Sequence, residues 1–500
     1  MTSFAQRCGV DDAERQAALS RARSLWLEQG LQRLRVGWCD LHGLLRGKTL
    51  IGPSALDAVN DGVGMVSTLM LKDTADRTAY KVFEPGALDG LPGFAFANNL
   101  MLLPDPASLC ALPWAPGTGW VRAQPWFADG TPVAIDPRRA LQAALARLAD
   151  AGFGLRCGLE VEFHIYRIDD ARLDPALAAW PGEPPAVSMI HPGYKLLDEG
   201  CADLSDEPLR IVEHTALGLG LPLKSLEIEL GPSQVEAVFD ATDAMTAADQ
   251  MVRFRNGVKQ ALRRAGYHAS FVCRPPFPNV MASGWHLHQS LVDTDSGRNA
   301  FCRSAAGPDH PANDARHTLS DTGAHWLAGL LAHARGGAVF GTPTINGFGR
   351  FRPNALAPMS VLWGRDNRGA MLRVLGGPGD AATRIENRCG EPMANPYLYI
   401  AAQVHAGLDG LARSLLPGPA TESPYAAAGP SGPAAGATVE LLPTSLGEAL
   451  DALADDPVMV QGFGTAMVGC LQHVKRSELA RHDEAEDREA WQRREYFSRY

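Results

Sequence analysis

The sequence predicts an α+β protein of at least two domains, on three observations. Its 500 residues exceed what a single hydrophobic core organises. Several short stretches alternate apolar and polar side chains with the period of two that marks strands. Longer stretches between them repeat apolar residues near a period of 3.6 and carry capping residues. With 46% hydrophobic residues, 20% charged residues and a formal net charge of -10, the chain has a soluble globular composition that repels phosphate backbones and anionic bilayers. No nucleic-acid or membrane partner is therefore expected. Nine cysteines with no C-x-x-C pair suggest neither a disulfide framework nor a thiolate metal site, and the charged first thirty residues do not resemble a secretory signal. These features together indicate a cytoplasmic protein.

Taken in order, residues 12–29 read as an amphipathic helix through Ala18, Leu19, Ala22, Leu25 and Trp26, stopped by Gly30. A strand follows at Leu34 to Asp40. The Pro- and Gly-rich run from Gly90 to Gly130 suits a small sheet domain and its exit, which places one domain at 15–130 and a second at 131–500. Asp136-Pro137 opens a helix to Ala151, and a longer helix is expected at Ala244 to Ala265. Pro417 to Gly436 is a Pro/Ala/Gly/Ser surface loop, and helices are expected at Leu446 to Leu453 and within Lys475 to Arg494.

Four of the predicted strands carry charge on one face. Arg156 to Ile165 sets Glu160, Glu162 and His164 against Leu159, Val161 and Phe163. Ser225 to Leu230 presents Glu227 and Glu229, with Gln234 and Glu236 after Gly231-Pro232. Gly284 to Leu291 presents His286, His288 and Ser290, and Thr383 to Arg388 presents Arg384, Glu386 and Arg388. One such strand is ordinarily a solvated outer face, but four of them imply a common charged wall. Glutamates crowded in a partly dry site raise one another's pKa unless cations neutralise them. Carboxylates with imidazole form a hard donor set suited to Mg²⁺ or Mn²⁺, and the interleaved arginines suit phosphate and carboxylate groups. Divalent metal, polyphosphate and a substrate carboxylate together describe ATP-dependent carboxyl activation.

The runs Gly158-Leu-Glu-Val-Glu-Phe163, Glu229-Leu-Gly-Pro-Ser-Gln-Val-Glu236 and Gly284-Trp-His-Leu-His-Gln-Ser-Leu291 resemble the metal-binding blocks of the glutamine synthetase family. Asn346-Gly-Phe-Gly-Arg350, Trp363-Gly-Arg-Asp-Asn-Arg368, Arg384-Ile-Glu-Asn-Arg388 and Ala394-Asn-Pro-Tyr-Leu398 follow in that family's order. Val36 to Gly43 with Arg46-Gly47-Lys48 is similar to its amino-terminal β-grasp domain. The resemblance implies a β-grasp-like domain followed by a glutamine synthetase-type catalytic α/β domain with a curved antiparallel sheet. It implies two or three Mg²⁺ or Mn²⁺ ions per site, one held by Glu162, Glu229 and Glu236 and the second by Glu160, His286 and Glu386. Arg350, Arg388 and Gly284 would bind glutamate, and Arg368 and Arg350 would act on the reacting groups. His288, Ser290, Arg373 and Arg384 would contact ATP. The implied reaction joins the γ-carboxylate of glutamate to an amine through γ-glutamyl phosphate, in a ring oligomer, commonly a dodecamer.

The sequence departs from the ammonia-using members at the amine site. Their flap glutamate corresponds to Leu356 in Asn354-Ala-Leu-Ala-Pro358, and their Asp-Gly-Ser-Ser run is absent near Met65-Val66-Ser67-Thr68. Their Asn-Gly-Ser-Gly-Met-His block reads Met281-Ala-Ser-Gly-Trp285-His286. Without those acids an ammonium ion lacks both its counter-charge and its base. An organic amine with an apolar body, aniline-like or alkyl, is expected in a pocket of Leu356, Trp285, Met281 and Val66. A γ-glutamylpolyamine synthetase and an ammonia-using glutamine synthetase are the alternatives, with a noncatalytic relative disfavoured by the full set of ligand residues. Tyr425 lacks the surroundings of the family's nucleotidylated tyrosine.

Overall fold

The computed structural model describes residues 2–52, 55–352, 357–425 and 440–500. Its frame is two sheets. The first contains β1 (Arg33–Cys39), β2 (Leu45–Ile51), β3 (Val63–Val66), β4 (Asn99–Pro104), β5 (Cys110–Ala111) and β6 (Thr118–Phe127), in the order β2-β1-β6-β4-β3 with β5 also on β6. β1 runs antiparallel to β2 and parallel to β6. Leu34, Val36 and Trp38 alternate into the core, while the helix Ala13–Glu28 is capped by the Asp12 carboxylate accepting from the Arg15 N–H at 2.8 Å.

The second sheet contains β7 (Phe153–Asp170), β8 (Ala186–Met189), β9 (Leu223–Ile228), β10 (Gln234–Asp243), β11 (Tyr267–Ser270), β12 (Trp285–Asp293), β13 (Trp363–Arg365), β14 (Leu372–Leu375) and β15 (Arg384–Gly390). Its order is β13-β14-β15-β12-β7-β10-β9, with β8 and β11 also on β7. The pairs are antiparallel except β13 with β14. β7 is the spine because its 18 residues reach four partners. Leu155, Cys157, Leu159, Val161, Phe163 and Ile165 are buried on one face, against Phe239, Phe254 and Phe271. That apolar face fixes the register, since a one-residue slip would drive Glu160 and Glu162 into the core.

Helices Pro137–Asp150, Ala244–Arg264 and Pro396–Ala412 back the sheet, and one apolar core runs from it into the first sheet. Each begins at a side-chain cap: Asp136, Asp243 and Asn395 accept from backbone N–H groups of the first turn. All nine cysteines are unpaired. No helix among the described residues is long and apolar enough to cross a membrane.

Candidate active site

Strand register assembles the site. Across the sheet Glu236 of β10 pairs with Glu162 of β7, Glu160 pairs with His286 of β12, and His288 pairs with Glu386 of β15. Glu227 of β9 continues the first row opposite Glu236. Residues opposite one another in an antiparallel ladder project to the same side, so segments far apart in sequence deliver their polar groups to one wall.

Donor atoms of Glu160, Glu236 and His286 lie within 4.8 Å of one another, as do those of Glu160, His288 and Glu386. His286 Nδ1 lies 3.6 Å from Glu160 and 3.8 Å from Glu386, as the expected second set requires, but His288 and Glu236 also enter these groups. His288, expected beside the nucleotide, has its Nε2 2.9 Å from Glu160 while its Nδ1 accepts from the Arg384 Nε–H at 3.1 Å. The Glu229 carboxylate turns back to its own strand end and accepts from the Leu230 N–H at 3.1 Å. Glu162 accepts from the Gly284 N–H at 2.8 Å and from Gln234 at 3.2 Å.

Charge is unevenly balanced across the wall. Burial and the neighbouring Glu162, Glu160, Glu229 and Glu227 push Glu236 up to about 10. Burial and Glu229 raise Glu162 to about 7. Glu160 is instead held far below the usual carboxylate range, because contacts with His286 and His288 outweigh its burial. Burial and Arg388 lower His286 to about 4, which keeps its ring neutral and able to donate a lone pair. Glu386 is fully buried and paired with Arg388 and, at 3.0 Å, with Arg373. This oxygen-rich set with a neutral imidazole, short of positive charge around Glu236, fits hard divalent cations.

Arg350 closes one end. It donates to the carbonyls of Arg388 at 2.9 Å and Gly390 at 3.1 Å, and its guanidinium lies 3.4 Å from His286 Nε2. Glycine at 284 leaves room for this arrangement: a Cβ would stand 2.5 Å from the Arg350 guanidinium and 3.0 Å from His286, displacing one of them. At the other end a cavity of about 1330 Å³ opens beyond Glu160, with His288, Ser290 and Arg384 in its wall. Arg156, Lys224 and Arg303 also line it, none of them singled out by the sequence motifs. A buried Arg303 nitrogen without a partner among the described residues was the missing signal, and only the tertiary structure supplies it.

Other expected site residues are placed elsewhere. Arg368 is exposed beyond β13 and lines a separate depression with Arg365, Asn367 and Glu422. Trp285 corrects the expected amine pocket: it is fully buried on the apolar side of β12 and packs edge-on against Tyr399, because strand alternation turns it away from His286. Val66 ends β3 in the first sheet, whose strands pair only among themselves, and Met281 is half-buried beside Gly231. Leu356 lies outside the described residues. Tyr425 has a shielded hydroxyl without a partner among the described residues; burial raises its phenol while Arg388 and Arg350 oppose the shift.

Residues 134–496 match the family described as glutamine synthetase, catalytic domain. The chain belongs to the glutamine synthetase family. It is therefore a C–N bond-forming ligase of a family that uses ATP and divalent metal. It is 37% identical to a γ-glutamylanilide synthase from Acinetobacter sp., over 94% of this chain and 93% of that one. It is 31% identical to the γ-glutamylethanolamide synthetase GlnA4 of Streptomyces coelicolor, over 92% and 91% of the two chains. A solved GmaS/ADP complex superposes with a TM-score of 0.72 at 28% identity, covering 95% of this chain and 98% of that one.

Proposed function

We propose that the enzyme joins the γ-carboxylate of glutamate to an aromatic amine of the aniline class, with ATP converted to ADP and phosphate. The observation that carries this reading is the 37% identity to a γ-glutamylanilide synthase across nearly the whole of both chains. The absence of the flap glutamate, with Leu356 in its place, agrees with it. Aniline is neutral at pH 7 and can attack without a protein base, whereas ammonium must first lose a proton.

In this reading Glu160, Glu162, Glu229, Glu236, His286 and Glu386 hold two or three Mg²⁺ or Mn²⁺ ions, and His288 joins them from the adjoining row. Bound metal would supply charge neutralisation at the transferring phosphate. Arg350, Arg388 and Gly284 form the glutamate end, where the Arg350 guanidinium is already oriented by two carbonyls. His288, Ser290 and Arg384, with Arg373 behind Glu386, form the ATP end, and Lys224 and Arg303 add charge for the phosphates. Glutamate bound at the first end presents its γ-carboxylate to ATP at the second; the carboxylate takes the γ-phosphoryl group as ADP leaves, and the amine then attacks the acyl phosphate, losing a proton as phosphate departs. Arg368 is assigned to the transferring phosphate, which requires its turn to move inward. Met281 and Leu356 contribute apolar surface to the amine site, with burial worth roughly 25 cal/mol per Å². The enzyme is proposed to act in the cytoplasm as a ring oligomer, a dodecamer by family resemblance.

The test is ADP release with glutamate and a series of amines at equal concentration. Aniline should exceed ammonium, ethanolamine, ethylamine and putrescine in kcat/KM by at least tenfold. Ammonium leading the series would return the enzyme to plain glutamine synthesis, and putrescine leading would make it a polyamine ligase.

A further inference from the structure

A second cavity, of about 180 Å³, lies away from the carboxylate wall, between the outer face of the first sheet and the helix Ala244–Arg264. Three glycines let its walls pack closely together. A Cβ at Gly37 would stand 2.6 Å from the Trp120 ring nitrogen, and one at Gly257 would stand 2.9 Å from Leu219 and 3.0 Å from Trp114. Gly47 lies opposite Gly37 in the β1–β2 register, and a Cβ there would collide with the Val36 carbonyl oxygen.

Every charged residue lining this cavity is a cation: Arg35, Arg46, Lys48 and Arg253. Two of them are engaged on the other side of the sheet. Arg46 is paired with Asp40 at 2.7 Å and Asp76 at 2.6 Å, and the Lys48 ammonium donates to the Gly64 carbonyl. Arg35 and Arg253 have no carboxylate within 4.0 Å among the described residues. Arg35 donates to the Gln260 side-chain oxygen at 2.8 Å, from β1. Arg253 donates to the Leu219 carbonyl at 2.6 Å, from the helix, and retains a buried Nε–H without a partner. Burial and the nearby Arg264 and Arg33 lower the Arg35 pKa, the mark of positive charge left uncompensated. The remaining wall mixes polar Thr49, Asn256 and Gln260 with apolar Leu112, Leu219 and two indoles. Trp114 is anchored through its ring N–H to Gln260 at 3.2 Å, and Trp120 lies beneath the Arg253 guanidinium at 5.9 Å.

We propose that this cavity binds a small aromatic carboxylate, its anion held by Arg35 and Arg253 from opposite walls and its ring laid against Trp114. Two guanidinium groups without carboxylate partners select an anion, and the indole surfaces select a planar body. The volume is below the roughly 300–1,000 Å³ of drug-sized sites, so a single ring fits and a nucleotide does not. This site is independent of the assignment of the amine.

The experiment is calorimetric titration of benzoate into the full-length protein, with glutamate saturating so that the Arg350 end is occupied. One benzoate should bind per chain. Arg35→Met and Arg253→Met should each weaken it at least tenfold and leave kcat and the KM values for ATP and glutamate unchanged; Arg35→Lys should lose less. Circular dichroism melts establish that each variant is folded, and Asn256→Phe, which keeps both arginines and fills the cavity, should abolish binding independently. Benzoate failing to bind, or binding equally well to both methionine variants, would overturn the site. Sulfate binding as tightly as benzoate would overturn the aromatic assignment.

Discussion

Glu236 and Glu162 carry the largest electrostatic cost in the site, paired across β10 and β7 with Glu160 and Glu229 close by. Their folded-state pKa values, about 10 and about 7, lie above an ordinary glutamate's, so between about pH 4.5 and 10 the folded chain holds protons that the unfolded chain has released. Metal-free stability must then fall as pH rises through that window. The melting temperature in EDTA should drop from pH 6 to pH 9, and saturating Mg²⁺ should raise it more at pH 9 than at pH 6, because cations replace the lost protons. A Mg²⁺ effect equal at both pH values would contradict this account. Glu236→Gln separates ligation from folding: the metal-free variant should melt higher than the parent at pH 8, while Mn²⁺ affinity by titration falls at least tenfold, about 1.4 kcal/mol.

The segment Thr342 to Arg350 shows how an element aims a side chain. Glu391, just past β15, is buried and accepts from the Thr344 N–H and hydroxyl, both at 2.9 Å, and a Cβ at Gly347 would stand 2.6 Å from its carboxylate. Both ends of the Arg350 cradle are thereby fixed, since Arg350 also binds the Gly390 carbonyl beside Glu391. Glu391→Ala leaves two dry donors unpaired, costing about 1–3 kcal/mol in urea unfolding. It should raise KM for glutamate several-fold with KM for ATP little changed, whereas Glu391→Gln keeps an acceptor and should recover most of the difference. The strands around this segment were legible in the sequence because a period of two exposes itself at Glu160/Glu162 and His286/His288. Their register was not, because the pairing of Glu236 with Glu162 joins positions more than seventy residues apart. The same period explains the misplacement of Trp285: a side chain next to His286 on a strand must face the other way, and motif comparison alone ignores that alternation. The grouping of His288 with Glu160 and Glu386 likewise depends on three strands at once.

At the scale of the whole molecule, the two sheets are joined by a buried arginine as well as by the shared core. Arg255, on the helix Ala244–Arg264, donates to the Gly43 carbonyl of the first sheet's turn at 2.5 Å and to Pro392 and Ala394 at 2.7 and 3.1 Å. Asn395 reinforces the joint, its amide donating to Asp40 at 2.9 Å and Leu41 at 3.2 Å while its carbonyl caps the next helix. The turn at Gly43 has φ +77°, and a Cβ there would collide with the Arg255 guanidinium, so glycine is needed for both backbone and contact. A second tie comes from the chain end, where Arg481 pairs with Asp73 at 3.1 Å and with Glu495 at 2.6 Å. Arg255 is fully buried, and removing its guanidinium strands three carbonyls without solvent to replace it. Arg255→Met should therefore destabilise the protein by about 2–4 kcal/mol in urea. Because the lost bonds lie between the sheets, the loosening should be regional: amide exchange in β1 and β2 should accelerate at urea concentrations where β7 and β10 remain protected. Exchange rising equally in all four strands would mean that the sheets unfold as one unit and that the shared apolar core, not Arg255, dominates their union.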